Sequence, residues 1–281
     1  MKYFFLFFIL ILSCNSKELG TDEPDKILTG INNIFISQVI DGRNESRKVI
    51  IHANNDPIVN FSYPLVFFLH GNGGSADKWL NPNLDYVDNH EFIGIYPQGF
   101  KNSWNLGQEN SNANDIEFFN LIMQEISSYQ NVDLNKIFAI GTSNGSGMVN
   151  ELAINTSFLK GIAPIASQLF IDQTKNKNIS PLSIYQVCGS DDEIIPYIGG
   201  ISRVGHTFMS ANESIMEWVK SINCNEEYVL SIVENDSLFT FTNCKEKNQV
   251  VHRRVEGGNH NLSGRGRFII NDIWNFFKSL D

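Results

Sequence analysis

Short apolar runs alternate along the chain with longer stretches whose apolar groups recur every three or four positions. Leu65-Val66-Phe67-Phe68-Leu69 is apolar throughout, and the segments Phe92–Tyr96, Lys136–Ile140, Gly161–Ala166 and Leu182–Cys188 are nearly so. Runs of this length without polar alternation fit strands covered on both faces, as in a parallel sheet. Gln249–Val255 ends the series. Between the runs, residues 114–129 place Ile116, Phe119, Ile122, Met123 and Ile126 at helical spacing. Further helices are predicted over 145–154, 208–222 and 267–280. Near the start, Ile34–Ile40 and Arg47–His52 flank Asp41-Gly42, a pair suited to a tight hairpin turn. The pattern predicts an α/β fold: a mostly parallel, doubly wound sheet with an antiparallel N-terminal hairpin. Right-handed crossovers gather the loops after the carboxyl ends of the strands, and chemistry is expected there.

The first residues do not fit this scheme. Lys2 precedes the apolar run Tyr3–Leu12, which is too short for a membrane span of about 20 residues. A charged start and a short apolar stretch read as a secretory signal. The run ends in Ile11-Leu12-Ser13-Cys14, which resembles the lipobox of bacterial lipoproteins. That resemblance implies cleavage before Cys14 and acylation of its thiol. The exported chain would be held on a bacterial membrane, in the periplasm or at the cell surface. The expected organisation is a signal segment over 1–13, a polar tether over 14–29 and one catalytic domain over 30–281.

Composition narrows the partners. Among 281 residues, 42% are hydrophobic and 19% charged, enough to bury a sizeable core. The formal net charge of -10 repels phosphate backbones, so nucleic acid is not an expected partner. No basic block marks a membrane-surface patch, which leaves the lipid at Cys14 as the expected membrane contact. Export permits a disulfide. Cys224 and Cys244 flank an alternating stretch and are predicted to pair, which is worth about 3 kcal/mol in the chain-entropy model. Cys188 is then a buried free thiol. No CxxC spacing supports zinc or redox chemistry.

The candidate nucleophile lies in Gly141-Thr142-Ser143-Asn144-Gly145. Such a string is weak alone, but here it follows a predicted strand and opens a predicted helix, as a nucleophile elbow requires. The glycines let neighbouring backbone pass, and the helix start offers free N–H groups to developing negative charge. A serine hydroxyl needs a base. Of the six histidines, only His206, His252 and His260 follow Ser143 in the chain. His252 falls inside a strand pattern and His206 near the start of a helical stretch. His260, in Gly257-Gly258-Asn259-His260-Asn261, alone sits on a glycine-rich loop after a strand, and it is the expected base. The orienting acid is expected among Asp191, Asp192 and Glu193, between which periodicity does not choose. Backbone N–H groups of Asn144 and of Asn72, in His70-Gly71-Asn72-Gly73-Gly74, are the candidate oxyanion donors. His70 reads as structural.

Taken together, LVFFLHGNGGS (65–75), Tyr96-Pro97-Gln98-Gly99, Ser103-Trp104-Asn105, the elbow, GSDDEIIPY (189–197) and Gly257–His260 resemble one family. It is the secreted polyhydroxybutyrate depolymerase-like and feruloyl esterase-like α/β-hydrolases, over roughly residues 30–281. The resemblance implies the α/β-hydrolase fold and a serine esterase. It places the acid on Asp192, the base on His260 and the nucleophile on Ser143, and it agrees with a Cys224–Cys244 bridge. It also implies a tryptophan near the cleft, here Trp104, as an aromatic substrate wall or as ordinary core. Cys188 stands where the family has histidine, and Asn259 where glycine is common.

The expected activity is hydrolysis of feruloyl or acetyl esters on plant polysaccharide, through an acyl-enzyme and without metal or organic cofactor. No polymer-binding module is appended, which favours this over short polyester (hydroxybutyrate) chains. A glycan-binding lipoprotein without turnover and a peptidase are the rival readings.

Overall fold

The Asp41-Gly42 turn forms as expected, with both residues in the left-handed region at φ 52° and 73°. Such a turn matches the twist of the strands that it joins. A computed structural model describes residues 26–280. The expected signal segment, the lipidation site Cys14 and the tether up to residue 25 lie outside the described residues. Residues 26–29, expected as the end of the tether, are packed onto the domain. Leu28 is buried, and its N–H and C=O both bond the Asn131 side chain, at 2.9 Å each.

In chain order the elements are β1 (Ile31–Ile40), β2 (Arg43–His52), β3 (Tyr63–Leu69), α1 (Leu84–Asp88), β4 (Ile93–Pro97), α2 (Asp115–Ile126), β5 (Val132–Thr142) and α3 (Asn144–Asn155). There follow β6 (Gly161–Ile165), β7 (Ser183–Gly189), β8 (Gly200–Ile201), β9 (Thr207–Phe208) and α4 (Ala211–Ser221). The last are β10 (Tyr228–Val233), β11 (Asp236–Phe241), β12 (Val250–Val255) and α5 (Gly266–Lys278). Ten strands form one sheet in the order β1-β2-β4-β3-β5-β6-β7-β12-β11-β10. From β4 to β12 neighbouring strands run parallel. Antiparallel hairpins close both edges.

The apolar runs behave as their composition requires. Every residue of β4, β6 and β7 is buried, because helices cover both faces of the sheet. One face packs on α2, α3 and α4 through residues such as Phe67, Phe119 and Trp218. The other packs on α5, where Phe138 and Phe277 stack at 4.5 Å between ring centroids. The helices start at local signals. Asn114 accepts from the Glu117 N–H ahead of α2, and Ser210 with Glu213 forms a capping box ahead of α4. Each such cap is worth about 1 kcal/mol.

The second edge hairpin, β10–β11, was only hinted at by the alternating stretch between the cysteines. Glu234 and Asn235 turn it, both at positive φ. The Cys224–Cys244 disulfide pins its two ends. It carries Asp236 into a buried ionic knot, where Arg253 of β12 contacts Asp236 at 2.7 Å and Asp272 of α5 at 2.5 Å. Arg265 joins at 2.5 Å. Arg253 and Asp236 are fully buried, and each keeps a second partner nearer the surface, Asp272 and Arg265.

His252 of β12 is buried in a chain of neutral hydrogen bonds. The Gln186 amide donates to its Nδ1 at 3.2 Å. Its Nε2 lies 2.8 Å from the Tyr197 hydroxyl, which donates to Asn212. Burial pushes this imidazole down to about 3. An unfolded histidine titrates near about 6.5. Below that pH the unfolded chain gains a proton that the folded chain refuses, so stability falls as pH drops from about 6.5 toward 3. Urea unfolding is expected to give a lower midpoint at pH 5 than at pH 7, with a shallower decline in His252→Gln.

Candidate active site

Strand β5 ends at Thr142, and the chain turns sharply into α3 through Ser143, at φ 53° and ψ −119°. A non-glycine residue rarely holds this conformation, and doing so costs of order 1–3 kcal/mol. The surroundings enforce it. The Ser143 N–H donates to Ile165 O at 2.9 Å, and its own carbonyl accepts from Ser146 and Gly147 of the new helix. A Cβ at Gly145 would lie 2.4 Å from the Leu69 carbonyl oxygen, so only glycine lets α3 sit this close to β3.

His260 lies on the loop after β12. Its Nε2 is 2.9 Å from Ser143 Oγ and its Nδ1 is 2.7 Å from Asp192 Oδ2. A carboxylate can only accept, so the ring proton sits on Nδ1 and the Nε2 lone pair faces the serine hydroxyl. The three carboxylates left open by periodicity separate clearly. Asp191 and Glu193 are exposed, whereas Asp192 is buried. Its other oxygen accepts from the N–H groups of Ile194 and Ile195 at 2.8 and 2.9 Å.

The loops that carry Asp192 and His260 touch where β7 and β12 end side by side. A Cβ at Gly189 would stand 2.2 Å from the Gly258 carbonyl oxygen. The base loop is also braced from within. Asn259 accepts from the N–H groups of Asn261 and Ser263, at 3.0 Å each. That is what asparagine contributes where the resemblance expected glycine. Arg265 ties the foot of the loop, Glu256 O, to the ionic knot at 2.6 Å.

Asn72 and Asn144 both border the space at Ser143. Asn144 is the first residue of α3, where backbone N–H groups lack helical acceptors. The loop of Asn72 is held by His70. Its Nδ1 donates to Gly71 O at 2.8 Å and its Nε2 accepts from the Gly99 N–H at 3.0 Å. Burial lowers the His70 pKa and keeps the ring neutral, as that pair of bonds needs.

Trp104 requires a correction as a cleft wall. It is 0% exposed, its Nε1 donates to His70 O at 2.8 Å, and its ring packs on Phe119. It braces the wall from behind and cannot touch substrate. Cys188 is a buried free thiol whose burial raises its pKa, so it stays protonated. Among the described residues no group of three or more His, Cys, Asp or Glu is gathered to hold a metal ion. Nor is any helix there long and apolar enough to cross a membrane.

Two cavities meet at Ser143. The larger, about 630 Å³, is walled mainly by apolar groups such as Trp79, Ile165, Leu262 and Ile270. The smaller, about 220 Å³, is lined by Leu106, Ile195, Val204 and Phe208 and, on its polar side, by Gln108, Asn110, Ser167 and a carboxylate–imidazole pair that was not foreseen. That pair is Glu109 and His206, with Nε2 2.8 Å from Oε1. Glu109 also accepts from the N–H groups of Leu106 and Gln108, at 2.8 and 3.2 Å, and from the Asn144 amide at 3.2 Å. Asn144 in turn accepts from the Trp104 N–H at 2.8 Å and donates to the Trp104 carbonyl at 3.0 Å. Residues 103–109 are thereby clipped to the residue beside Ser143. No local pattern announces a contact between positions 97 residues apart.

No family model matches the chain. Among curated proteins it is 29% identical over 246 residues to feruloyl esterase B of Piromyces equi, spanning 83% of this chain and 45% of that protein. It is 24% identical to feruloyl esterase D of Neurospora crassa, over 88% of this chain and 86% of the relative. The chain thus spans less than half the length of the Piromyces protein. Solved structures share the fold. An acetyl xylan esterase from Aspergillus awamori superposes at TM-score 0.62 with 14% identity, over 89% of this chain and 99% of that one. A Bacillus cereus carboxylesterase does so at 0.54 with 17% identity, over 82% and 94%. The fold is the α/β-hydrolase fold, and the family resemblance holds on its feruloyl esterase side. Its polyhydroxybutyrate side has no support in these relatives.

Asn144→Ala keeps the backbone N–H but unpairs the buried Trp104 N–H and carbonyl and takes one donor away from Glu109. A stability loss of about 3 kcal/mol is expected in urea unfolding.

Proposed function

We propose that this chain, an α/β-hydrolase similar in sequence to feruloyl esterases, is a serine carboxylesterase acting on esters carried by plant polysaccharide. The observation that carries the reading is the continuous contact from Asp192 through His260 to Ser143, at 2.7 and 2.9 Å, on a backbone that holds the serine in the left-handed region. Feruloyl or acetyl groups are the preferred acyl class, on the names of the relatives and the apolar character of the larger cavity.

In this reading His260 takes the Ser143 proton as the hydroxyl oxygen attacks the ester carbonyl. Asp192 holds the Nδ1–H tautomer and stabilises the imidazolium that forms. The N–H groups of Asn72 and Asn144 receive the oxyanion. The protonated His260 gives its proton to the departing alcohol. Water then attacks the acyl carbon as His260 takes its proton, and the proton passes to Ser143 Oγ as the bond to the acyl group breaks and the acid leaves. Export and a lipid at Cys14 belong to the same proposal, supported by Lys2, the apolar run behind it and the Leu12-Ser13-Cys14 string. So does a single catalytic domain, which takes in residues 26–29 besides the expected 30–281.

Purified protein is expected to hydrolyse p-nitrophenyl acetate and methyl ferulate. Ser143→Ala should lower kcat by about 10⁵-fold or more, and Asp192→Asn by about 10⁴-fold. Equal rates for wild type and Ser143→Ala on both esters would sink the esterase reading and favour glycan binding without turnover.

A further inference from the structure

We infer that His206 is a substrate-binding residue, whose Nδ1 hydrogen-bonds a hydroxyl of the ester's alcohol part, a polyhydroxylated sugar, in the smaller cavity beside Ser143. The inference rests on the esterase reading and adds to it where the alcohol sits and which side chain selects it.

His206 is 8% exposed and borders the smaller cavity together with Ser143. Its ring is fixed in every respect that matters for a hydrogen bond. Phe170 stacks on it at 4.5 Å with an interplanar angle of 17°, and Phe208 meets it edge-on at 6.0 Å. The Glu109 carboxylate, 2.8 Å from Nε2, can only accept, so Nε2 bears a proton. Nδ1 is the ring nitrogen left for a ligand. It bonds no protein atom among the described residues and is not sealed from solvent. Nothing in the proposed acyl transfer uses it, because Ser143 Oγ is already engaged by His260.

The rest of the cavity suits the same ligand. Gln108, Asn110 and Ser167 offer further polar groups, and the larger cavity across Ser143 is mainly apolar. A hydroxyl-rich alcohol belongs on the first side and an apolar acyl group on the second. Glu109 is not itself available to a sugar, since its two oxygens already accept from four protein donors. It acts as a positioning residue that fixes the Nε2–H of His206. The design parallels Asp192 and His260, with the imidazole aimed at a bystander hydroxyl rather than at the nucleophile.

The test compares two esters with the same acyl group, methyl ferulate and a feruloylated xylan oligosaccharide. In His206→Phe, which keeps an aromatic ring against Phe170, the ratio of kcat/KM for the sugar ester to that for the methyl ester is expected to fall about tenfold, mainly through KM. A purely structural role would lower both esters together and leave the ratio at its wild-type value, and that outcome overturns the inference. If circular dichroism shows His206→Phe unfolded, His206→Gln, which can still donate to Glu109, is read by the same ratio. Should wild type hydrolyse neither ester, the esterase reading fails separately. An NMR titration with the ester-free xylan oligosaccharide then decides: shifted His206 ring signals support the site, and unmoved signals overturn it.

Discussion

Ser143 keeps its left-handed backbone because main chain is packed against main chain on the side of it that faces the sheet. The Leu69 and Ile165 backbones crowd the turn from the neighbouring strands, and α3 begins immediately behind. Close backbone approach of this kind leaves no room for adjustment, so the serine oxygen is set by the sheet rather than by its own rotamer alone. A second crossing of the same type, Gly189 against Gly258, sets the acid and base loops relative to each other. Ser143 and His260 follow strands separated by β6 and β7. Two tight crossings bring their side chains within hydrogen-bond distance.

The layers behind these crossings explain why they persist. The acid loop is tied down through Tyr197 to His252, a histidine kept neutral in the interior. The base loop is tied down through Arg265 to Asp236, which arrives on a hairpin closed by a disulfide. The wall opposite is tied down through Asn144 and Trp104. Each tie ends on a buried polar group with defined partners. Buried groups of that kind are costly when unpaired and rigid when paired.

Much of this arrangement was legible from residue order. The apolar runs marked the parallel strands because burial on both faces suppresses alternation. The elbow stood out because strand, glycine and helix signals coincided at Ser143. Asp192 was harder, since three adjacent carboxylates carry no periodicity, and only the family motif separated them. The β10–β11 hairpin escaped assignment although its outer strand, Tyr228–Val233, is largely apolar: that run lies exposed at the sheet edge, so apolar composition alone does not place it in the sheet. Glu109 and His206 were missed for a different reason: they meet through the fold, and neither sits in a local pattern. Trp104 was recognised as important, but one sequence cannot say whether an aromatic faces a cleft or stands behind it. Its fully buried ring and indole bond to the His70 carbonyl decide the matter.

Glu109 has a consequence for which substitutions this chain can tolerate. Four hydrogens converge on its two oxygens, which is about the full capacity of a carboxylate. Glutamine has the same outline, yet it would bring two hydrogens of its own into a place where only hydrogens arrive. The position is therefore guarded by the absence of protons rather than by the presence of charge. Drift to the nearest isostere is thereby closed off.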